Sequence, residues 1–230
     1  MKTGKTLSAL ILVGALMLTF CAAASAAPAS GGAEKAAEAG RQYAQCLEDH
    51  PEYLSGVLFD LNGDGVDELL VSEEERFPVR AVLYALSMDG KRLLSWKLFS
   101  RNSEFGFDAD AGTLSVSSGG TGVRETCVMS LAGNDLLARH VGKNAVWPEE
   151  GTHYYDFSEL IPASEVETVR YSFGLITTPE HFTTPDRDVL EGHAISEEDY
   201  QDCLAHYGAA ELLAFADRDS LVRQLARSDG

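Results

Sequence analysis

Basic residues are scarce in this chain. Lysine and arginine together number 18, against 36 aspartate and glutamate residues, and the formal net charge at pH 7 is −18. A surface of this sign repels the phosphate groups of nucleic acids and the headgroups of anionic lipids. We therefore expect no nucleic acid and no membrane surface among the partners of the protein, whereas cations are attracted to it.

Cysteine is also rare, with four residues in the whole sequence. Three of them, Cys46, Cys127 and Cys203, follow the N-terminal segment, and an odd number cannot pair completely within one chain. Because no two cysteines have the CxxC spacing, a zinc knuckle is not expected. Cys46 and Cys203 lie beside apolar helical stripes. This pattern leaves two interpretations open, a disulfide between them or two buried free thiols.

The apolar run near the N-terminus is too short to cross a membrane comfortably. It covers Leu7–Phe20, follows two lysines and precedes a small-x-small sequence at 24–26, a combination typical of a secretory signal peptide. We predict cleavage after residue 26 and no membrane attachment after cleavage. The alternatives are an uncleaved membrane anchor and a lipoprotein acylated at Cys21. Against the second, Phe20 stands where lipoproteins carry a small residue.

The rest of the chain has the composition of a globular protein. Residues 1–26 contain two lysines and no acidic residue, so 16 basic and 36 acidic residues remain, a net charge of −20. The chain is 45% hydrophobic and long enough for one sizeable core. We predict a small-residue disordered tail at 27–32 and a single domain at 33–230. The protein is expected to be secreted or held at the cell surface.

The middle of the chain shows the period-two alternation of apolar and polar residues that is typical of half-buried strands. Short turn sequences such as Asp89-Gly90 separate the alternating segments and favour hairpins. The predicted strands are Ser55–Asp60, Glu68–Ser72, Val79–Ser87, Arg92–Phe99, 105–107, 114–116, Val123–Leu131, Leu136–Val141 and His153–Asp156. Residues 177–188, rich in threonine and proline, are predicted to form a loop.

Helical patterns flank this meander on both sides. Apolar residues recur at helical spacing over 33–50, and Pro51 ends the pattern. Ser196 is a predicted N-cap, with Asp199 three residues later as an approximate capping box, and a last short helix is predicted at 219–227. The fold class is therefore α+β, an antiparallel β-meander sheet with N- and C-terminal helices packed on it.

A glycine- and aspartate-rich loop between the first two predicted strands carries the clearest chemical signal. Calcium takes about six to eight oxygen ligands, often from one curled loop. Asp60, Asn62 and Asp64 stand at loop positions one, three and five, Val66 would offer its carbonyl at position seven, and Glu68 its carboxylate at position nine. Glycines at positions 63 and 65 allow the sharp turns. These five residues are the predicted Ca²⁺ ligands.

The loop departs from an EF-hand in two respects. An EF-hand has a bidentate glutamate at position twelve, where this chain has Val71, and helices rather than strands flank an EF-hand loop. An ordinary turn rich in aspartate and asparagine is the alternative interpretation. Three spaced oxygen-bearing side chains together with two glycines favour calcium.

Two segments resemble known proteins. The run Phe59–Val71 (FDLNGDGVDELLV) resembles the D-x-N/D-x-D-G-x-x-E-L calcium loop of secreted and surface proteins of gut-dwelling Firmicutes, and it is similar to FG-GAP/VCBS-type and, more distantly, dockerin loops. The segment Glu191–Tyr200 resembles a turn and helix found near the C-terminus of the same proteins. The resemblance implies secretion and a structural calcium site. Dockerins have two such loops and FG-GAP propellers several, whereas one is found here.

No motif in the sequence identifies an enzyme. The histidines do not form HExxH, and the acidic residues are too numerous to single out a catalytic pair. The predicted function is a secreted calcium-binding structural or binding module, whose further partner is an unidentified extracellular protein or glycan. The alternative is a secreted hydrolase that uses carboxylate catalysis. A convergent, partly buried pair of carboxylates in a deep cleft would favour the hydrolase.

Overall fold

The computed structural model describes residues 30–74, 80–99, 104–120, 122–145, 151–163, 175–178, 181–183, 189–191, 193–207 and 210–228. The predicted signal peptide at 1–26 and the alternative acylation site Cys21 lie outside these residues. Within the described segments, no helix is both long enough and apolar enough to span a membrane.

The described residues form helices and antiparallel strands, which confirms the predicted α+β class. The helices are α1 (Ser30–Asp49), α2 (Glu197–Tyr207) and α3 (Arg218–Ser228). The strands are β1 (Ser55–Phe59), β2 (Glu68–Ser72), β3 (Arg80–Leu86), β4 (Leu93–Phe99), β5 (Glu104–Asp108), β6 (Thr113–Gly120), β7 (Val123–Ala132), β8 (Asp135–Asn144), β9 (His153–Pro162), β10 (Leu175–Thr178), β11 (His181–Thr183), β12 (Val189–Glu191), β13 (His193–Ile195), β14 (Glu211–Leu212) and β15 (Ala216–Asp217).

The meander divides into two large sheets rather than one. A five-stranded sheet has the order β15-β1-β2-β3-β4, a seven-stranded sheet has the order β13-β9-β8-β7-β6-β5-β14, and β10–β12 form a small third sheet. Leu83 and Trp96 of the first sheet share one apolar core with Leu114 and Met129 of the second. The Trp96 indole N–H also donates to the Ile161 carbonyl, at 3.1 Å. Two facing sheets bury apolar side chains that a single open sheet would leave in water.

Helices α1 and α3 cover the outer face of the five-stranded sheet. Tyr43 and Leu47 of α1 and Leu221 of α3 form a second core with Val71 on β2. All five residues of β2 are buried because this strand has neighbours on both faces. The terminal helices therefore share one face, as predicted. Helix α2 packs instead on the seven-stranded sheet, where Tyr200 contacts the ring of Tyr154 at 5.1 Å.

The capping box predicted at the start of α2 is confirmed. The backbone N–H of Asp199 donates to Ser196 Oγ at 3.0 Å, and the backbone N–H of Ser196 donates to Asp199 Oδ2 at 3.3 Å. Each side chain thus satisfies a backbone donor that the first turn of a helix leaves unpaired.

Three expectations are corrected. The tail predicted at 27–32 is wrong for its last residues, because α1 begins at Ser30, and residues 27–29 lie outside the described segments. The loop predicted at 177–188 contains the end of β10 and all of β11, which pair as antiparallel strands despite their threonine content. A Cys46–Cys203 disulfide is not formed, since both thiols are free and lie on helices that cover different sheets.

Arg218, the first residue of α3, joins this helix to the end of α1. Its guanidinium donates to the carbonyl oxygens of His50 at 3.0 Å and Tyr53 at 3.1 Å, and also to the carbonyl of Leu47. The last carbonyls of a helix have no partner within the helix itself. One side chain therefore binds a carbonyl of the last turn of α1, that of Leu47, and two carbonyls of the chain that follows the helix.

We expect Arg218→Ala to lower the free energy of unfolding by about 2–3 kcal/mol, because charged hydrogen bonds to half-buried carbonyls are lost together. Arg223→Ala is the matched control on the same helix, since its guanidinium makes an exposed hydrogen bond to the Ser220 hydroxyl, and a change within about 0.5 kcal/mol is expected. Urea denaturation of both variants measures the difference. Equal losses would show that Arg218 does not join the two helices.

Candidate metal centre

The predicted calcium loop is the connection between two paired strands. Phe59 ends β1 and is paired with Glu68, which begins β2, so residues 60–67 form the tip of a hairpin. Phe59 and Leu69, at the two ends of the loop, are buried, and Leu61 is fully buried as well. Gly63 has a φ of 72°, a left-handed conformation that side-chain-bearing residues rarely adopt. The buried side chains of Phe59, Leu61 and Leu69 therefore fix the loop against the core, and Gly63 allows it to turn sharply.

The oxygen atoms of the predicted ligands face the inside of the loop. Asp60 Oδ1 and Asn62 Oδ1 both accept from the backbone N–H of Asp64, at 3.1 and 2.9 Å. Asp60 Oδ2 accepts from the N–H of Gly65 at 2.9 Å, and Asp64 Oδ1 accepts from the N–H of Val66 at 2.9 Å. The backbone of the loop therefore orients Asp60, Asn62 and Asp64. The role of the Val66 carbonyl remains a prediction.

Glu68 is a carboxylate in an apolar setting. The residue is 3% exposed, and its Oε2 accepts a hydrogen bond of 2.6 Å from the backbone N–H of Leu61. Burial raises the pKa of Glu68 to about 8, and the nearby carboxylates of Asp64 and Asp60 also raise it, while the Leu61 N–H and Lys35 lower it. A negative charge at this position is costly unless a cation accompanies it.

Helix α1 lies against the loop and contributes two contacts. Lys35 Nζ lies 2.6 Å from Asp64 Oδ2, and the Tyr43 hydroxyl donates to the backbone carbonyl of Asp67 at 2.9 Å. Burial raises the pKa of Tyr43, so its phenol stays protonated and donates. Sequence reasoning missed these residues. Lys35 and Tyr43 are eight residues apart, which places them on one face of the helix. This spacing was the feature of the sequence from which a shared contact could have been predicted.

The chemistry of the donor set fits calcium, although the oxygens do not converge as in a finished site. In the part of the chain that the structure describes, no group of three or more His, Cys, Asp or Glu side chains is arranged to hold a metal ion. Each carboxylate or amide oxygen has two lone pairs, so one hydrogen bond to an N–H leaves capacity for an ion. A donor set made only of oxygen suits Ca²⁺ rather than Zn²⁺.

A second polar cluster, which sequence reasoning missed, lies on the seven-stranded sheet. Cys127 on β7 is directly opposite His140 on β8, with 3.8 Å between Sγ and Nε2. His140 Nδ1 lies 2.9 Å from Glu125 Oε1, and the Phe157 ring stacks on the imidazole at 4.2 Å. The histidines looked scattered in sequence. The turn at 132–135 fixes the register that brings these residues together.

A shallow groove of about 300 Å³ lies between α1 and the five-stranded sheet. Its lining includes Cys46, His50 and Tyr84, and among its described lining residues Asp49 is the one carboxylate. The described residues of this groove therefore do not form the carboxylate pair that would favour the alternative hydrolase.

Comparison of the chain with protein-family models, with curated proteins and with solved structures gives no match. The geometry of the hairpin loop is therefore the basis for the function proposed below.

Proposed function

We propose that the protein is a secreted calcium-binding structural or binding module, in which the hairpin loop at 60–68 holds one Ca²⁺ ion. Glu68 is the observation that supports this most, because a carboxylate that is 3% exposed needs a compensating cation to remain ionised. The acidic chain and the loop spacing agree with this proposal. An extracellular protein or glycan is the proposed further partner.

The residues that would hold the ion come from one short segment. Asp60, Asn62, Asp64 and Glu68 would contribute side-chain oxygens, and Val66 its carbonyl. A bound calcium ion supplies positive charge to this group of carboxylates. The chain itself contributes position, because the backbone N–H groups of the loop already hold Asp60, Asn62 and Asp64 by hydrogen bonds.

Calcium at this loop would connect three elements of the fold. The loop joins β1 to β2, and α1 reaches it through Lys35 and Tyr43. The Lys35 ammonium lies on Asp64, where it supplies part of the positive charge that the loop requires. An ion held there by the folded chain alone stabilises the folded state by mass action. This is a structural role, and it does not require a catalytic centre.

Hydrolysis by paired carboxylates, the alternative function, has less support. It requires two acidic side chains that face each other across a cleft. Among its described lining residues, the groove beside α1 offers Asp49 alone. The calcium module is therefore the function that the described residues favour.

The experiment is a thermal melt with excess calcium and with a chelator. At a calcium concentration about 100 times the Kd we expect a gain of about 2.7 kcal/mol, which corresponds to a rise of roughly 5–10 °C in Tm for a chain of this size. Asp64→Ala should abolish most of the rise, since Asp64 stands at position five of the loop and its carboxylate is oriented by the Val66 N–H.

Asp67→Ala is the matched control. It removes the same charge three residues away, but Asp67 is exposed at position eight, between the predicted ligands Val66 and Glu68. This variant should keep most of the rise in Tm. Identical melts with and without calcium would refute the calcium site. Equal losses in the two variants would show that the loop is only an acidic patch that attracts cations diffusely.

A further inference from the structure

The buried polar cluster on the seven-stranded sheet has the arrangement of an activated thiol. Glu125 and Cys127 are two residues apart on β7, so their side chains lie on the same face of the sheet. His140 is paired with Cys127 on the neighbouring strand and lies on that face too. Cys127 and His140 are 0% exposed and Glu125 is 5% exposed. Cys127 is therefore placed as a nucleophile, His140 as its base, and Glu125 as the group that orients the base.

The hydrogen bonds define the direction of proton transfer. When Glu125 is ionised, its carboxylate can only accept, so His140 Nδ1 then carries the proton that it donates to Glu125 Oε1, at 2.9 Å. Nε2 then holds a lone pair that faces Cys127 Sγ at 3.8 Å and can take the thiol proton. Phe157 stacks on the imidazole with an angle of 7° between the rings, which fixes the imidazole plane.

The other two thiols of the described chain have different surroundings. The Cys46 thiol contacts Tyr84, and burial raises its pKa. Burial also raises the pKa of the Cys203 thiol, more than the neighbouring Arg139 lowers it. Cys203 is half-buried and so is the most accessible of the three, whereas Cys127 is the least accessible. If exposure controls the rate of reaction, Cys203 should react fastest. If activation by a neighbouring base controls it, Cys127 should react fastest.

We propose that Cys127 is a thiol that reacts with hydroperoxides, activated by His140 and positioned through Glu125. Because Cys127 is 0% exposed, an oxidant reaches it when the fold opens locally, and a small hydroperoxide requires the smallest opening. The Cys127 thiolate attacks one peroxide oxygen, so that an S–O bond forms while the O–O bond breaks. Sulfur loses two electrons and becomes a sulfenic acid. The peroxide is reduced, and the proton that His140 took from the thiol passes to the departing oxygen, giving water or an alcohol.

The test is site-resolved oxidation of the reduced, folded protein with hydrogen peroxide. Peroxide is removed with catalase, the chain is unfolded in dimedone to trap sulfenic acid, and peptide mass spectrometry measures the adduct at each cysteine. We expect Cys127, the thiol with a neighbouring base, to be oxidised at least about tenfold faster than Cys46 or Cys203. In the unfolded chain the three rates should converge. An order set by exposure, with Cys203 fastest, would overturn the proposal.

Glu125→Gln separates positioning from burial, because it keeps the shape of the side chain and removes its charge. In this variant the oxidation rate at Cys127 should fall to the level of Cys46, while the rates at Cys46 and Cys203 stay unchanged. An unchanged rate at Cys127 in a variant that melts like the parent would also overturn the proposal. If the variant does not fold, the order of the three thiols in the parent protein decides the question.

Discussion

In the presence of a chelator, the protein should become less stable as the pH rises from about 5 to about 8. Glu68 is responsible, since burial raises its pKa in the folded protein from 4.5 to about 8. Between these two values the folded chain keeps a proton on Glu68 and the unfolded chain does not. The free energy of unfolding therefore falls by about 1.4 kcal/mol for each pH unit through this residue.

Glu68→Gln isolates the effect, because glutamine is neutral at every pH and has nearly the same shape. The difference in unfolding free energy between parent and variant should decrease steadily with pH in chelator. In saturating calcium this decrease should disappear, because a metal-bound carboxylate is already ionised. Urea unfolding followed by the fluorescence of the buried Trp96 provides the measurement. Parallel pH profiles of the two proteins in chelator would contradict the prediction.

The local features of the fold were accessible from the sequence. Turn residues such as Asp89-Gly90 and the alternation along Arg92–Phe99 predicted a hairpin, and short apolar runs predicted β1 and β2, which begin at the predicted residues. The capping box at Ser196 and Asp199 was accessible for the same reason, since all its contacts are within three residues. Features of this kind depend on nearest neighbours in the chain, which a pattern read along the sequence represents directly.

The division of the strands into two facing sheets was not accessible. Leu83 and Met129 have the same alternating pattern in sequence, yet they belong to different sheets and meet across one core. Alternation indicates that one face of a strand is apolar, but it does not indicate which other apolar surface packs against that face. The same limit applies to α1, whose helical pattern was clear, whereas its contact with the calcium loop through Lys35 arises from packing.

The candidate sites, too, contain features that the sequence predicts and features that depend on packing. The loop ligands Asp60, Asn62 and Asp64 are close in sequence and could be predicted from spacing. The burial of Glu68, which sets its pKa, depends on the surrounding core and could not. The pairing of Cys127 with His140 depends on the register of the β7–β8 hairpin, which its short turn fixes. The pattern along either strand alone does not give this register.

Gly142→Ala should destabilise the protein by about 3 kcal/mol. Gly142 on β8 is directly opposite Tyr155 on β9, and the tyrosine ring lies over the glycine. A Cβ at this position would overlap ring atoms of Tyr155, including Cε2 at 2.6 Å. Tyr155 is fully buried, so its ring has no space into which it can move. The glycine is needed here for the absence of a side chain, not for an unusual backbone angle.

A double-mutant cycle with Tyr155→Leu tests this explanation. Leucine lacks the distal ring atoms that the added methyl group would overlap, so the cost of Gly142→Ala should be much smaller in the Tyr155→Leu background. Urea unfolding of the four proteins gives the coupling energy. If Gly142→Ala costs the same in both backgrounds, its effect comes from the strand itself and the overlap with Tyr155 is not its cause.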